Sequence, residues 1–311
     1  MNVLVWHVHG AWTTSFVHGR HRYLIPVDEG RTADGLGRAR TYDWPASAVE
    51  VTRAQAQEED VDVVVLQRPH ELDHLASEWL GGRTPGADVP AVYLEHNAPQ
   101  GRIADMRHVA AGRPGLTVAH VTYFNDLFWD CGDTPTRVIE HGVVDPGPRY
   151  TGELARTVVV INDAVRRGRV TGTDLLTRFR RVVPVDLFGM GSAALGGWDV
   201  SQAVLHREMA CRRVYVHPVR WTSLGLSLIE AMHIGMPVVA LATTEVHEAV
   251  PPEAGVVSNR VEVLETALQR LIADPDEARA RGAAARMAAL ERFGLERFLT
   301  DWDSLLGEVA A

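Results

Sequence analysis

The chain has 311 residues, 46% of them hydrophobic and 23% charged, with a net charge of −9 at pH 7. That length exceeds what one hydrophobic core usually supports, so two domains of roughly 150 residues are expected, and the composition excludes a disordered or fibrous chain. The acidic balance excludes a general nucleic-acid binder, which neutralises phosphates with surplus Lys and Arg, so any phosphate bound here must be met locally.

Short runs rich in Val, Ile and Leu alternate with helix-like segments, the pattern of a parallel sheet covered on both faces. In the first half the predicted strands are Val3–Trp6, Val61–Leu66, Ala91–Leu94, Leu116–Val121 and Arg137–Ile139. In the second they are Thr157–Ile161, Val182–Phe188, Val214–His217, Pro237–Leu241 and Ala254–Val257, with helical spacing over Asp174–Arg181, Gln202–Arg212, Leu224–His233 and Val261–Ala273. The Pro/Gly-rich stretch Gly142–Gly152 reads as the join between two doubly wound halves. The tail from Asp274 has helical spacing broken at Phe293-Gly294, which predicts a last helix over Leu295–Val309. Cys131 and Cys211 are too few and too far apart for a disulfide framework or zinc ribbon, which suits a reducing cytoplasm. No stretch approaches the ~20 apolar residues of a membrane span, and the apolar start meets polar His7 too early for a signal peptide.

Ligands of open parallel sheets bind at the carboxyl ends of the strands. Polar and glycine residues gather there: His7–Gly10, Gln67–His70, Glu95–Pro99, Asn162–Arg169, Phe188–Gly191, His217–Gly225 and Thr243–Glu248. The sharpest segment is Tyr215–Ala240. A strand ends at His217, a polar loop follows, and a helix opens near Ser223–Gly225 with free N–H groups that suit a diphosphate. Glu230, further along that helix, is placed to accept from ribose hydroxyls, and Gly235-Met236-Pro237 stops the helix. An ordinary strand–helix–strand unit with Glu230 solvated or capped stays open. Arg166, Arg167 and Arg169 beside a strand end suit a diphosphate electrostatically, with a solvated basic loop as the alternative. The 14 histidines offer no metal-ligand spacing, so no metal is expected.

The segment resembles the donor-site motif of the retaining glycosyltransferases of the large sequence family four. Gly225, Glu230, Ala231, Met232, Gly235, Pro237, Val238, Val239 and Ala240 fall at the family's spacing. The first glutamate of the family's paired glutamates falls on Thr222, and the Gly-Phe that follows falls on Ser223-Leu224. Val138–Asp145 is similar to the family's interdomain crossing, with His141 in the Asn place. The resemblance implies the GT-B fold: an α/β protein of two Rossmann-like domains with a cleft between them, residues 1–147 on the acceptor side, 148–294 binding the nucleotide sugar, and 295–311 returning to the first domain with Trp302 as anchor. It implies a catalytic set of His96, Thr222 and Glu230. Its donor contacts would come from Gly10, Arg166, Arg167, Arg169, Ser223, Leu224, Gly225 and Glu230, and its nucleobase contacts from the backbone of Phe188, Gly189 and Met190.

The implied function is transfer of a sugar from a nucleotide-diphosphate sugar to a sugar, lipid or small-molecule acceptor. It would proceed with retention, without a metal or further cofactor, in the cytoplasm, with peripheral membrane contact left open. Two rivals stand beside it: a non-catalytic binder of a nucleotide sugar or partner protein, and a sugar-nucleotide epimerase of the same fold.

Overall fold

The computed structural model describes all residues, 1–311, and gathers the apolar runs into two parallel sheets. The first contains β1 (Asn2–Val5), β2 (Arg22–Pro26), β3 (Ala48–Val51), β4 (Val63–Leu66), β5 (Ala91–Glu95), β6 (Leu116–His120) and β7 (Thr136–Val138), in the order β3-β2-β1-β4-β5-β6-β7. The second contains β8 (Leu154–Val160), β9 (Val185–Phe188), β10 (Arg212–His217), β11 (Val238–Ala240) and β12 (Gly255–Val257), in the order β12-β11-β10-β8-β9. Crossover helices cover the faces. The first sheet carries α1 (Gly10–Phe16), α2 (Arg53–Glu58), α3 (Ala76–Trp79) and α4 (Tyr123–Phe128). The second carries α5 (Ala164–Arg167), α6 (Leu176–Phe179), α7 (Gln202–Cys211), α8 (Leu226–Ile234), α9 (Val246–Ala249), α10 (Val261–Ala273) and α11 (Pro275–Arg292). Burial on both faces explains why β4 is four consecutive buried apolar residues and not an alternation.

The chain divides into one unit of Met1–Gly142 with Leu295–Ala311, and a second of Val143–Gly294. The division falls upstream of the 147/148 position suggested by the turn residues, for a local reason. Val143 N donates to Phe293 O at 3.2 Å, and Asp145 is gripped by both Nη atoms of Arg286 at 2.8 and 2.9 Å, so residues 143–147 already belong to the second unit.

In the first unit, β2 and β3 carry no clear sequence signal. β2 opens on Arg22 and closes on Pro26, and β3 is four residues with Glu50 inside it, held by Arg31. After β1 only residues 7–9 form a loop: α1 starts at Gly10, where Trp12 and Phe16, four apart, bury one helical face. In the second unit, the strand expected from Val182 begins at Val185, and Val182 and Val183 instead close the turn that follows α6, their N–H groups bonding Phe179 O.

The last helix, α12 (Leu295–Ala310), belongs to the first unit. It buries Phe298, Trp302, Leu305 and Leu306 on one face. The Trp302 ring lies 5.5 Å from Trp12 and 5.0 Å from Phe16, both edge-on. Removing a buried aromatic leaves a cavity that the surroundings only partly close. Trp302→Ala is expected to destabilise the protein by about 3–5 kcal/mol in urea unfolding; a loss under about 1 kcal/mol would mean that α12 is not anchored through this ring.

Candidate functional site

In the second sheet β8 lies between β9 and β10, so the order reverses there, and the carboxyl ends of β8 and β10 flank a switch-point crevice of the kind that receives ligands in open α/β sheets. The loops leaving these strands are tied together. The N–H groups of Arg220 and Trp221 donate to Val170 O at 2.9 and 3.2 Å. The Arg220 guanidinium grips Asp174 at 2.5 and 2.9 Å and donates to Arg169 O at 2.8 Å. Thr243, after β11, adds a hydroxyl bond to Val219 O at 2.7 Å. Two of the three non-glycine residues with left-handed backbone, Asp163 and Thr244, sit on these loops, and such strain gathers at functional sites.

The three arginines expected to meet phosphate differ. Arg166 pairs with Asp163 at 2.6 Å, and Arg169 lies 3.1 Å from Asp174, a carboxylate it shares with Arg220; both arginine side chains are largely exposed. Arg167 is half-buried and makes no ion pair; burial, and then the charge of Arg166, makes its protonated form less favourable than usual, with the Asp163 carboxylate only partly offsetting them. Of the three it is the cation an anion would relieve. Arg220 was not singled out from the sequence, and its only mark there is its place just after a strand end.

Helix α8 is nine residues long, its N-cap Gly225 offers no side chain, and the first-turn N–H groups of Leu226 and Ser227 have no backbone carbonyl to meet. Ser223 and the Leu224 side chain are buried, Leu224 in the apolar core, which leaves only its backbone for a ligand; Thr222 is half-buried. Glu230 is buried and not solvated: Oε1 accepts from Gln202 Nε2 at 2.9 Å, and Oε2 stands 3.4 Å from His206 Nε2. His217, at the end of β10, is also buried; burial lowers its pKa to about 4, so the ring is neutral.

The loop expected to seat a nucleobase offers fewer contacts than its sequence suggests. The Phe188 ring is turned into the core, 5.2 Å from Trp198 and under the Arg212 guanidinium. The N–H groups of Gly189 and Met190 are spent on Trp198 O and Asn162 Oδ1 at 2.9 Å each. A base at this edge would meet carbonyl lone pairs and the exposed Met190 side chain.

In the first sheet the order reverses between β1 and β4. Gln67, at the end of β4, donates from Nε2 to Trp6 O at 2.7 Å, which turns its Oε1 toward His96 Nε2 at 3.0 Å. His96 follows β5, with His9 at 4.0 Å, Trp12 at 5.3 Å and His141 at 6.4 Å between ring centroids. Burial first, then the neighbouring imidazoles His9 and His141, holds His96 well below its ordinary pKa; burial lowers His9 to about 4 and His141 to about 3. The three rings are therefore neutral hydrogen-bonding groups, and no three His, Cys, Asp or Glu side chains are placed to hold a metal ion. Gly10 sits under Tyr42, where a Cβ would come within 3.3 Å of the ring. A groove of about 620 Å³ opens at the opposite edge of this sheet, among Gly112–Thr117, Asp133–Arg137 and the end of α12. It lies away from the ligand-facing loops.

Folded-state pKa values depressed below the unfolded value of 6.5 contribute stability that is fully present above that pH. As pH falls, the unfolded chain takes up protons that His9, His96 and His141 refuse, so stability is lost from 6.5 down through about 4 for His9 and about 3 for His141. The melting temperature is expected to drop over this window, and more shallowly in His9→Gln. An equal slope in the variant would show that His9 is not among the groups responsible.

Residues 194–274 match the family model described as Glycosyl transferases group 1. No curated protein matches by sequence. Among solved structures, a variant of S. aureus TarM in complex with fondaparinux, alpha-GlcNAc-glycerol and UDP is similar over 78% of this chain, with a TM-score of 0.63 and 15% identity. The chain spans about half of the TarM structures, 54% and 55% of their length. HepE from Anabaena, in complex with UDP, is similar over 99% of this chain and 100% of its own, with a TM-score of 0.71 and 15% identity. Sucrose-phosphate synthase from Thermosynechococcus elongatus is similar over 99% of both chains, with a TM-score of 0.67 and 14% identity. At these identities the likeness establishes the fold, the GT-B fold of two Rossmann-like doubly wound units, and the match over residues 194–274 lies on the unit that carries α8 and Glu230.

Proposed function

We propose that the chain is a nucleotide-sugar-dependent glycosyltransferase whose second unit holds the donor. The observation that carries this is the coincidence, inside the segment matching the group 1 glycosyltransferase model, of an uncapped helix N-terminus with a buried, braced carboxylate further along the same helix. The α8 N–H groups and Arg167 would take the diphosphate, and Glu230 would accept from the ribose hydroxyls. HepE and TarM are solved with UDP, and HepE also with UDP-glucose, so a uridine-diphosphate sugar is the first donor to try.

The chemistry we infer retains configuration and needs no metal. The bond from the sugar's anomeric carbon to the diphosphate breaks, the acceptor oxygen bonds that carbon on the same face, and the acceptor proton passes to a diphosphate oxygen. The protein then supplies position and charge stabilisation rather than a nucleophile. His96, neutral and with Nε2 directed to Gln67, would serve as a hydrogen-bonding partner of the transferred sugar and not as a base. Two free cysteines suit a cytoplasmic setting, and no helix is long and apolar enough to cross a membrane. Thr222, in the place of a carboxylate, motivates one second reading, a nucleotide-sugar binder without turnover.

A thermal-shift screen against UDP-, GDP-, ADP- and dTDP-sugars is expected to give selective stabilisation by the uridine series, because a ligand that binds only the native state raises the melting temperature. No shift with any series would remove the donor site. Arg167→Ala is expected to weaken UDP binding by about tenfold, and Arg166→Ala by much less, since one charge-assisted contact is worth about 1.5–3 kcal/mol; equal effects would refute the distinction between compensated and uncompensated arginines. His96→Ala is expected to abolish most transfer while UDP affinity stays near wild type. Wild-type binding without transfer or donor hydrolysis would favour the non-catalytic reading, and acceptor-free interconversion of sugar nucleotides would favour the epimerase.

A further inference from the structure

We infer that His217 is a phosphate-binding residue of the donor site, donating from Nε2 to a phosphate oxygen seated at the N-terminus of α8; this rests on the donor site proposed above.

Two independent observations meet here. The first is the helix end itself: nine residues, Gly225 as N-cap without a capping side chain, and first-turn N–H groups that find no carbonyl. The second is the imidazole beneath it. His217 is 2% exposed, and its Nε2 has no hydrogen-bond partner. Buried polar nitrogens are nearly always satisfied, so an orphan calls for a partner that the bare chain does not contain. The ring stands against the N-cap residue: a Cβ at Gly225 would lie 2.7 Å from His217 Cε1 and 3.4 Å from Nε2. The unsatisfied nitrogen and the unsatisfied amides therefore share one end of one helix.

The other ring nitrogen explains how Nε2 can donate. Tyr215 and His217 lie two apart on β10 and so point to the same face. The Tyr215 hydroxyl is 3.4 Å from His217 Nδ1 and 2.9 Å from Ser227 Oγ, which itself lies in the first turn of α8. A phosphate oxygen only accepts, so it selects the tautomer protonated at Nε2. In that tautomer Nδ1 accepts from Tyr215, and Tyr215 accepts from Ser227. The ring is neutral before the anion arrives, so no buried cation has to be held in the empty site, while the helix end favours negative charge. The amides of α8 and the imidazole would then act as one cluster of neutral donors, with Arg167 supplying the formal charge.

The test compares UDP, uridine and inorganic pyrophosphate by calorimetry on the full chain. His217→Phe keeps the ring volume and loses the donor; it is expected to weaken UDP by about tenfold, leave uridine unchanged, and be partly rescued by His217→Gln, which restores an N–H. In the wild type, saturation with UDP is expected to move the His217 Nε2 nitrogen-15 resonance to the protonated, neutral form. UDP affinity unchanged in His217→Phe, or equal losses for UDP and uridine, would overturn the inference. If the Phe variant does not fold, an unmoved Nε2 resonance in UDP-saturated wild type would overturn it instead. Wild-type binding of pyrophosphate but of no nucleoside diphosphate would overturn the donor site, and the same variant would then test His217 against pyrophosphate; binding of neither would overturn both.

Discussion

The second unit depends on one close approach. Gly172 lies so near the Pro218 carbonyl that a Cβ there would stand 1.9 Å from its oxygen, with φ at +74°. No other residue allows the loop after β8 to lie on the loop after β10 at this distance. The hydrogen bonds from Arg220 and Trp221 to Val170 O follow from that contact, as does the grip of Arg220 on Asp174. The arginine loop and the loop leading into α8 are thereby fixed to one another by backbone contacts as well as by the Arg220 side chain. A site assembled this way is organised before any ligand arrives, which lowers the ordering cost of binding.

Charge and its absence are distributed differently in the two units. The protein carries a net charge of −9, yet beside the second sheet's switch point Arg166 pairs with Asp163, Arg169 and Arg220 share Asp174, and the half-buried Arg167 makes no ion pair. Positive potential is thus gathered on one loop pair and one helix end, not spread as a basic face. In the first unit, His9, His96 and His141 are packed against aromatic rings and driven neutral by burial. Neutral imidazoles offer direction without net charge. That suits the recognition of hydroxyl groups, which need one donor and one acceptor at defined angles.

Most of the strands were legible because burial on both faces leaves continuous Val/Ile/Leu runs, as in β4 and β10, and the Gly235-Met236-Pro237 stop marks the end of α8 in the sequence as it does in the fold. β2 and β3 were not legible: they have only two or three consecutive apolar residues and take their stability from pairing with β1 and with each other. At the candidate site, the sequence marked the loops that leave the strand ends but could not sort their residues. Whether Arg167 or Arg166 is compensated depends on Asp163 pairing, and whether Phe188 stacks on a ligand or on Trp198 depends on a side-chain direction that no spacing encodes. His217 was passed over because a histidine at a strand end looks like any polar residue there. Its orphaned nitrogen becomes visible only when α8 is laid over β10.

On the proposed function, Thr222 changes what the rest of the donor site must supply. A carboxylate at that position would accept from sugar hydroxyls as a charged group, and such bonds are about twice as strong as neutral ones. A threonine hydroxyl offers one donor and two lone pairs, without charge and with a shorter reach. The carboxylate proposed for the ribose is not weakened in compensation: Glu230 is braced by Gln202 on one oxygen and faced by His206 on the other, which fixes its orientation from α7. On the proposed function, binding energy therefore shifts from the sugar end of the donor toward the ribose and diphosphate. An enzyme built so would hold its nucleotide firmly and its sugar loosely, discriminating less among sugars than among nucleotides, because specificity follows the contacts that would be lost with the wrong ligand.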